Sequence, residues 1–140
     1  MSVTIIIGAN GRVEVGAVTP NLVVEGVSSV DMPNSWKTKE LKYLGDTATR
    51  TIMIERAWEV TLNMAKDSAD SAGQVAIRTA YAAGSNLAIK IWEDYTNATT
   101  HFYTCAYGKV PELGVKVDPN NEVSNTCKIK SDGVEMTLPV

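Results

Sequence analysis

From Ile52 onward apolar and polar residues alternate. Ile52, Ile54, Arg56, Trp58, Val60, Leu62 and Met64 share one largely apolar face, and Thr51, Glu55, Glu59, Thr61 and Asn63 share a mostly polar one. A period of two predicts a half-buried strand. The alternation stops at Lys66, where Asp67 or Ser68 can cap a helix and Asp70 adds negative charge to its first turn. A helix over about 68–83 follows, because Ala69, Ala72, Ala76, Ala80 and Ala83 recur at threes and fours beside Ile77 and Tyr81. Gly84 supplies a left-handed C-terminus. Alternation resumes over Asn86–Trp92, with Leu87, Ile89 and Ile91 inward. A helix with one apolar stripe needs a partner, and the two flanking strands are the nearest.

The rest of the chain reads as short strands separated by turn signals. VTIII and VEVGAV flank Gly8-Ala9-Asn10-Gly11, a hairpin turn rather than a phosphate loop, since it lacks Lys-Ser/Thr and no helix follows. Leu22–Val30 is a further strand, broken by Asp31-Met32-Pro33-Asn34. Trp36–Leu44 and Thr47–Met53 form a hairpin around Gly45-Asp46. Thr99–Val110 is an aromatic and β-branched strand, Pro111–Val117 is irregular or an edge, and Asp118-Pro119-Asn120-Asn121 is a turn. Val123–Lys130 and Val134–Leu138 form a closing hairpin around Ser131-Asp132-Gly133. The fold class is mainly β: a sandwich or barrel of about eight to ten strands, one flanking helix (about 68–83) and an extended hairpin arm (about 36–52), in a single domain spanning 1–140.

Charge singles out that arm. Residues 36–50 hold four basic residues (Lys37, Lys39, Lys42, Arg50) against two acidic ones (Glu40, Asp46), so +2, and the remainder holds nine against fourteen, so −5. The arm is too polar to own a core face, yet it carries Trp36, Leu41, Tyr43 and Leu44. Apolar groups without an intramolecular place point to packing on another subunit, and the alternative is a solvated edge hairpin whose lysines block aggregation. The overall charge of −3 gives no basic footprint for gripping nucleic acid. No apolar run is long enough to span a bilayer, and the start lacks the basic region of a signal peptide, so synthesis in the cytoplasm is expected.

Candidate chemistry is sparse. His101 is a lone strand histidine without a partner motif, which favours a structural role, and no nucleophile elbow or metal-ligand spacing appears. Asp118, Asn120 and Glu122 alternate as oxygen ligands might, but without the further carboxylates and glycine of a calcium loop they read as a turn. Cys105 and Cys127 could approach one another, and two buried free thiols is the expectation for a cytoplasmic protein. Neither an enzyme nor a cofactor is expected.

The central unit resembles phage major tail tube proteins. The resemblance rests on the strand ending EVTLNM, the helix entry DSADSAGQ, the helix body RTAY and the return AGSNL, and covers residues 50–110 best. It implies a barrel or sandwich with one helix, shared with type VI secretion tube proteins. It further implies hexameric rings stacked into a hollow tube that conducts DNA from capsid to host, in a virion tail. Its expected partners are further copies, the tape-measure protein and DNA in the lumen, and tail completion, terminator and baseplate proteins. It implies that the arm, with Trp36, Lys37, Lys39, Leu41, Lys42, Tyr43, Leu44 and Arg50, reaches neighbouring subunits. The family's acidic lumen makes Glu55 and Glu59 the first lumen candidates. A secretion tube of the same fold and a monomeric β-sandwich binding module are the alternatives, and fold alone does not separate them.

Overall fold

A computed structural model describes residues 11–65, 72–95, 102–120 and 123–139. Eight strands and one helix follow in chain order: β1 (Arg12–Gly16), β2 (Leu22–Val23), β3 (Val27–Asp31), β4 (Asn34–Leu41), β5 (Arg50–Ala65), α1 (Ala72–Ala83), β6 (Leu87–Trp92), β7 (Phe102–Lys116) and β8 (Ser124–Ser131). All strand pairings are antiparallel, in the order β2-β1-β6-β7-β8-β5-β3, with β4 also on β5. The sheet's two ends are joined by one stretch of chain. Leu22–Val23 pair with β1, and Val27–Asp31 pair with β5. Between them the Val24 amide donates to Val13 (2.9 Å) and the Ala65 amide donates to Gly26 (2.8 Å). Gly26 makes the bend with φ 75°, and a Cβ there would sit 2.6 Å from the Ala65 carbonyl oxygen. Leu22–Val30 is thus two short strands around a glycine kink, which lets one segment serve both edges and leaves fewer unpaired backbone groups.

The barrel has a single core. Val13, Val15, Trp58, Val60, Leu62, Met64, Leu87, Ile89, Ile91, Cys127, Ile129 and Met136 are buried together, with Ile77 and Ala80 contributed by α1. Trp58, Val60, Leu62 and Met64 are buried at alternate positions as expected, with polar Thr61 and Asn63 on the outer face. That outer face is laced across three strands: the Asn63 Nδ2 group donates to Ser29 Oγ (2.7 Å), and Thr126 Oγ1 donates to Asn63 Oδ1 (2.9 Å).

The helix packs differently from expectation. It rests mainly on β7, β1 and β2, with a smaller contact to β6, rather than on the two strands that flank it in sequence. Its buried residues are Gly73, Gln74, Ile77 and Ala80, whereas Ala72, Ala83 and Tyr81 are exposed. The stripe is rotated because Gly73, not an alanine, makes the closest approach: a Cβ there would lie 2.3 Å from the Val23 carbonyl oxygen. Gln74 Nε2 then donates to the carbonyls of Glu25 (2.7 Å) and Ala65 (3.0 Å), tying the helix to the kink. The C-terminus is as expected. Gly84 takes φ 64°, and the Ser85 amide reaches back to Ala80 (3.2 Å) in a Schellman closure.

Gly73 yields a prediction. In an exposed helix interior Gly→Ala is worth roughly 1 kcal/mol of stabilisation. At Gly73 the methyl would overlap backbone rather than a flexible side chain, and overpacking costs about 1–3 kcal/mol. Gly73→Ala is expected to lower the thermal midpoint measured by circular dichroism, and a rise would show that the helix can back away.

One C-terminal expectation is settled and one corrected. Pro111–Val117 is an edge rather than irregular: β7 runs through it to Lys116 paired with β8 alone, with a register shift between Lys109 and Glu112 that accommodates a residue lacking an N–H. The segment after Gly133 (φ 78°) does not return along β8. It crosses to β7, where Thr104 and Thr137 exchange two backbone hydrogen bonds (3.1 and 2.8 Å). Both thiols are free and buried, and burial pushes the Cys127 thiol up to about 12. The first strand of the N-terminal hairpin and its turn up to Asn10, the helix-capping residues 67–70, His101 and Glu122 lie outside the described residues, while the expected second strand VEVGAV is found as β1.

Candidate subunit interface

The sixteen-residue β5 is longer than the barrel that contains it. Only Glu59–Ala65 pair with β8, and only Thr61–Met64 pair with β3. From Trp58 outward its partner is β4, so the two strands project as a ribbon paired from Asn34↔Trp58 to Leu41↔Arg50. No residue of β4 or of 50–57 is buried. The predicted arm therefore exists, with its first strand at Asn34–Leu41 and its second beginning at Arg50 rather than Thr47.

Its apolar residues are arranged by a bulge that alternation could not disclose. Lys37 pairs with Glu55 but Thr38 pairs with Met53, so β5 carries one extra residue there. Because directly opposed residues share a face, Trp36, Arg56, Thr38 and Met53 lie on one side of the ribbon. Lys37, Glu55, Lys39, Ile52, Leu41 and Arg50 lie on the other. Ile52 and Ile54 are thus not continuations of the core face of Trp58, and both are exposed. Each side carries an uncovered apolar group, with Met53 and Trp36 (51% and 45% exposed) on one and Ile52 (39%) on the other. The second side is also the basic one, through Lys37, Lys39 and Arg50.

The tip is locally ordered. The Asp46 amide donates to Tyr43 (3.0 Å), closing a four-residue turn in which Gly45 takes φ 95°, the positive value a type II turn requires at its third position. Asp46 accepts from the Tyr43 amide (3.0 Å) and from Nε and Nη2 of Arg50 (2.8 and 2.9 Å). The Arg50 guanidinium stands 5.3 Å from the centre of the Tyr43 ring. This clamp leaves Leu44 fully exposed at the apex. Lys42 lies on the exposed stretch just before the turn.

The same clamp sets a pH dependence. The hydrogen bonds from Arg50, then that from the Tyr43 amide, hold the Asp46 carboxyl below its usual value of 3.8. A lowered folded-state pKa means that the ionised clamp contributes at every pH above the ordinary carboxylate range and is lost as pH falls through the lowered value. The tip is therefore expected to keep its structure from neutral pH to below about 3.8. Side-chain NMR titration of Asp46 checks this, and a midpoint at or above the ordinary value removes the clamp.

The lumen candidates occupy different settings. Glu55 is exposed on the arm opposite Lys37, while Glu59 is in the barrel opposite Lys130, with Lys128 Nζ 3.8 Å from its carboxylate. The lysine neighbours of Glu59 come from β8, distant in sequence. No three His, Cys, Asp or Glu side chains converge among the described residues, and none of the helices there is long and apolar enough to cross a membrane.

Neither a family model nor a curated protein sequence matches the chain. Solved structures do. A chain from the tail of an empty gene transfer agent particle, refined with C6 symmetry, superposes with a TM-score of 0.77 at 10% identity, covering 96% of this chain and 98% of that one. The SPP1 tail tube gives 0.76 at 11% identity, covering 95% and 79%. A chain from the sheath/tube terminator of the PVC extracellular contractile injection system gives 0.70 at 14% identity, covering 98% and 99%. The chain has the fold shared by tail tube proteins and contractile injection system components, and at these identities what is shared is the fold.

Proposed function

We propose that this protein is a structural subunit of a phage tail tube, with six copies forming a ring and rings stacking head to tail into a hollow conduit for DNA. The observation that carries the reading is the arm: a ribbon with no buried residue beyond its root at Trp58, apolar groups on both faces and a charge opposite to that of the body. Uncovered apolar groups on two sides call for cover on both, which a single flat neighbour cannot provide. The basic side, with Lys37 and Lys39, suits the acidic remainder of another copy. An arm of one copy on the body of the next is a heterologous contact, which closes into rings or propagates as a filament. Six-fold rings are supported by the C6 symmetry of the gene transfer agent tail of matching fold. Such a subunit needs no catalytic group. Its place is the virion tail, and its partners there are the tape-measure protein and DNA within the lumen and terminator and baseplate proteins at the ends.

In this reading the polar outer face of β5 and β8 lines the channel. Glu59 then stands with Lys128 and Lys130 beside it, so this wall is mixed in charge and repels DNA less than an acidic wall would. Electron microscopy of concentrated protein tests the proposal. Hollow tubes of stacked six-membered rings are expected, and a strict monomer at all concentrations overturns it. The injection system components of matching fold favour a second reading, a tube in a contractile secretion device. A particle carrying protein and no nucleic acid would select it.

A further inference from the structure

The arm leaves the barrel at a point where β5 loses its neighbour on one side. Pairing with β8 ends at Glu59↔Lys130, and beyond it, among the described residues, no strand flanks Trp58, Ala57 or Arg56 on that side. A two-stranded ribbon held only through its own two chains is free to twist and swing about its root. The segment that follows Gly133 lies instead across the face of β5 that carries Trp58 and Arg56. The Trp58 indole Nε1 donates to the Val134 carbonyl (3.0 Å), and Arg56 Nη2 donates to the Met136 carbonyl (2.9 Å) while pairing with Glu135 (3.0 Å). The same few residues are fixed to the barrel wall. Met136 is fully buried in the core, Cys105 Sγ lies 3.7 Å from the Val134 carbonyl, and Thr137 exchanges its two hydrogen bonds with Thr104 of β7.

We infer that residues 134–137 are a strap that sets the direction of the arm, with Arg56 and Trp58 as the positioning residues it grips. Arg56 suits this work. Its planar, permanently charged fork takes a backbone carbonyl and a carboxylate at once, fixing an orientation as well as a distance. Trp58 adds a second hold two residues further along β5, on the same face, so the root is gripped twice and cannot pivot about one bond. An arm that must meet surfaces on other copies gains from being pre-oriented, because ordering it during association would be subtracted from the binding free energy. That significance rests on the arm being an interface, whereas the strap itself is a property of the free subunit.

The test uses the free subunit, so it succeeds or fails whether or not tubes grow. Spin labels on introduced cysteines at Thr47 near the arm tip and Thr79 on the exposed side of α1 report the arm's direction by pulsed dipolar spectroscopy; the buried native thiols stay unlabelled. A pair at Thr79 and Thr126 reports the barrel alone. In the Trp58→Phe, Arg56→Met double variant, which retains most of both side chains' bulk but no donor to the strap, the Thr47–Thr79 distribution is expected to broaden at least twofold while the Thr79–Thr126 distribution is unchanged. An arm distribution as narrow as that of the parent overturns the inference. Should the barrel pair broaden as well, Trp58→Phe alone carries the same decision, since it removes one hydrogen bond and keeps the ring.

Discussion

Joining Ser35 directly to Arg50, so that Trp36–Thr49 are lost, is expected to leave a cooperatively folded monomer that no longer assembles. The deleted residues bury nothing within the subunit, and surface changes away from caps and cores generally stay within about 0.5 kcal/mol. The melting midpoint should therefore move by no more than a few degrees. Assembly should fail completely, because the deletion removes Trp36, Tyr43 and Leu44, the exposed apolar groups suited to anchor a neighbour. Calorimetry and electron microscopy of the same sample read the two effects separately. Loss of folding would assign the arm to the core, and tubes of normal dimensions would remove it from the interface.

Trp58→Ala should give the opposite pattern. Trp58 is 2% exposed, its ring lies against Gly108, where a Cβ would come within 2.9 Å of it, and its indole holds Val134. Truncating a buried tryptophan costs about 3–5 kcal/mol, from lost burial and from the cavity left behind. For a domain of this size that corresponds to a midpoint lowered by about 10–20 °C. Thermal denaturation followed by near-ultraviolet circular dichroism measures it directly. A loss under about 1 kcal/mol would mean that the arm's root is not part of the core. Trp36 and Trp58 stand on the same ribbon face two register positions apart, yet Trp36 is expected to add nothing to the stability of the subunit and Trp58 several kcal/mol.

Period-two alternation from Trp58 to Met64, the Gly84 stop and the charge asymmetry of residues 36–50 are local properties, written in spacing and composition. They determined, without any tertiary information, a β-rich barrel with one helix and a projecting arm. Everything that failed was a matter of what lay across the gap. Ile52 and Ile54 continue the sequence pattern of Trp58, but the barrel ends at Arg56 and a bulge changes the phase, so the same spacing places them in solvent. Gly73 reads as a weak helix residue until Val23 is seen against it, and only then does the helix's true inner stripe appear. Val134–Leu138 looks like the return of a hairpin because Asp132-Gly133 is a turn signal. Its hydrogen bonds instead go to Thr104, Trp58 and Arg56, residues 33 to 80 positions away that only the closed barrel brings within reach. Local rules specify what a segment can become, whereas its partners are chosen by burial and backbone pairing over the whole chain, and those choices decided which apolar residues are buried within this subunit and which stay exposed.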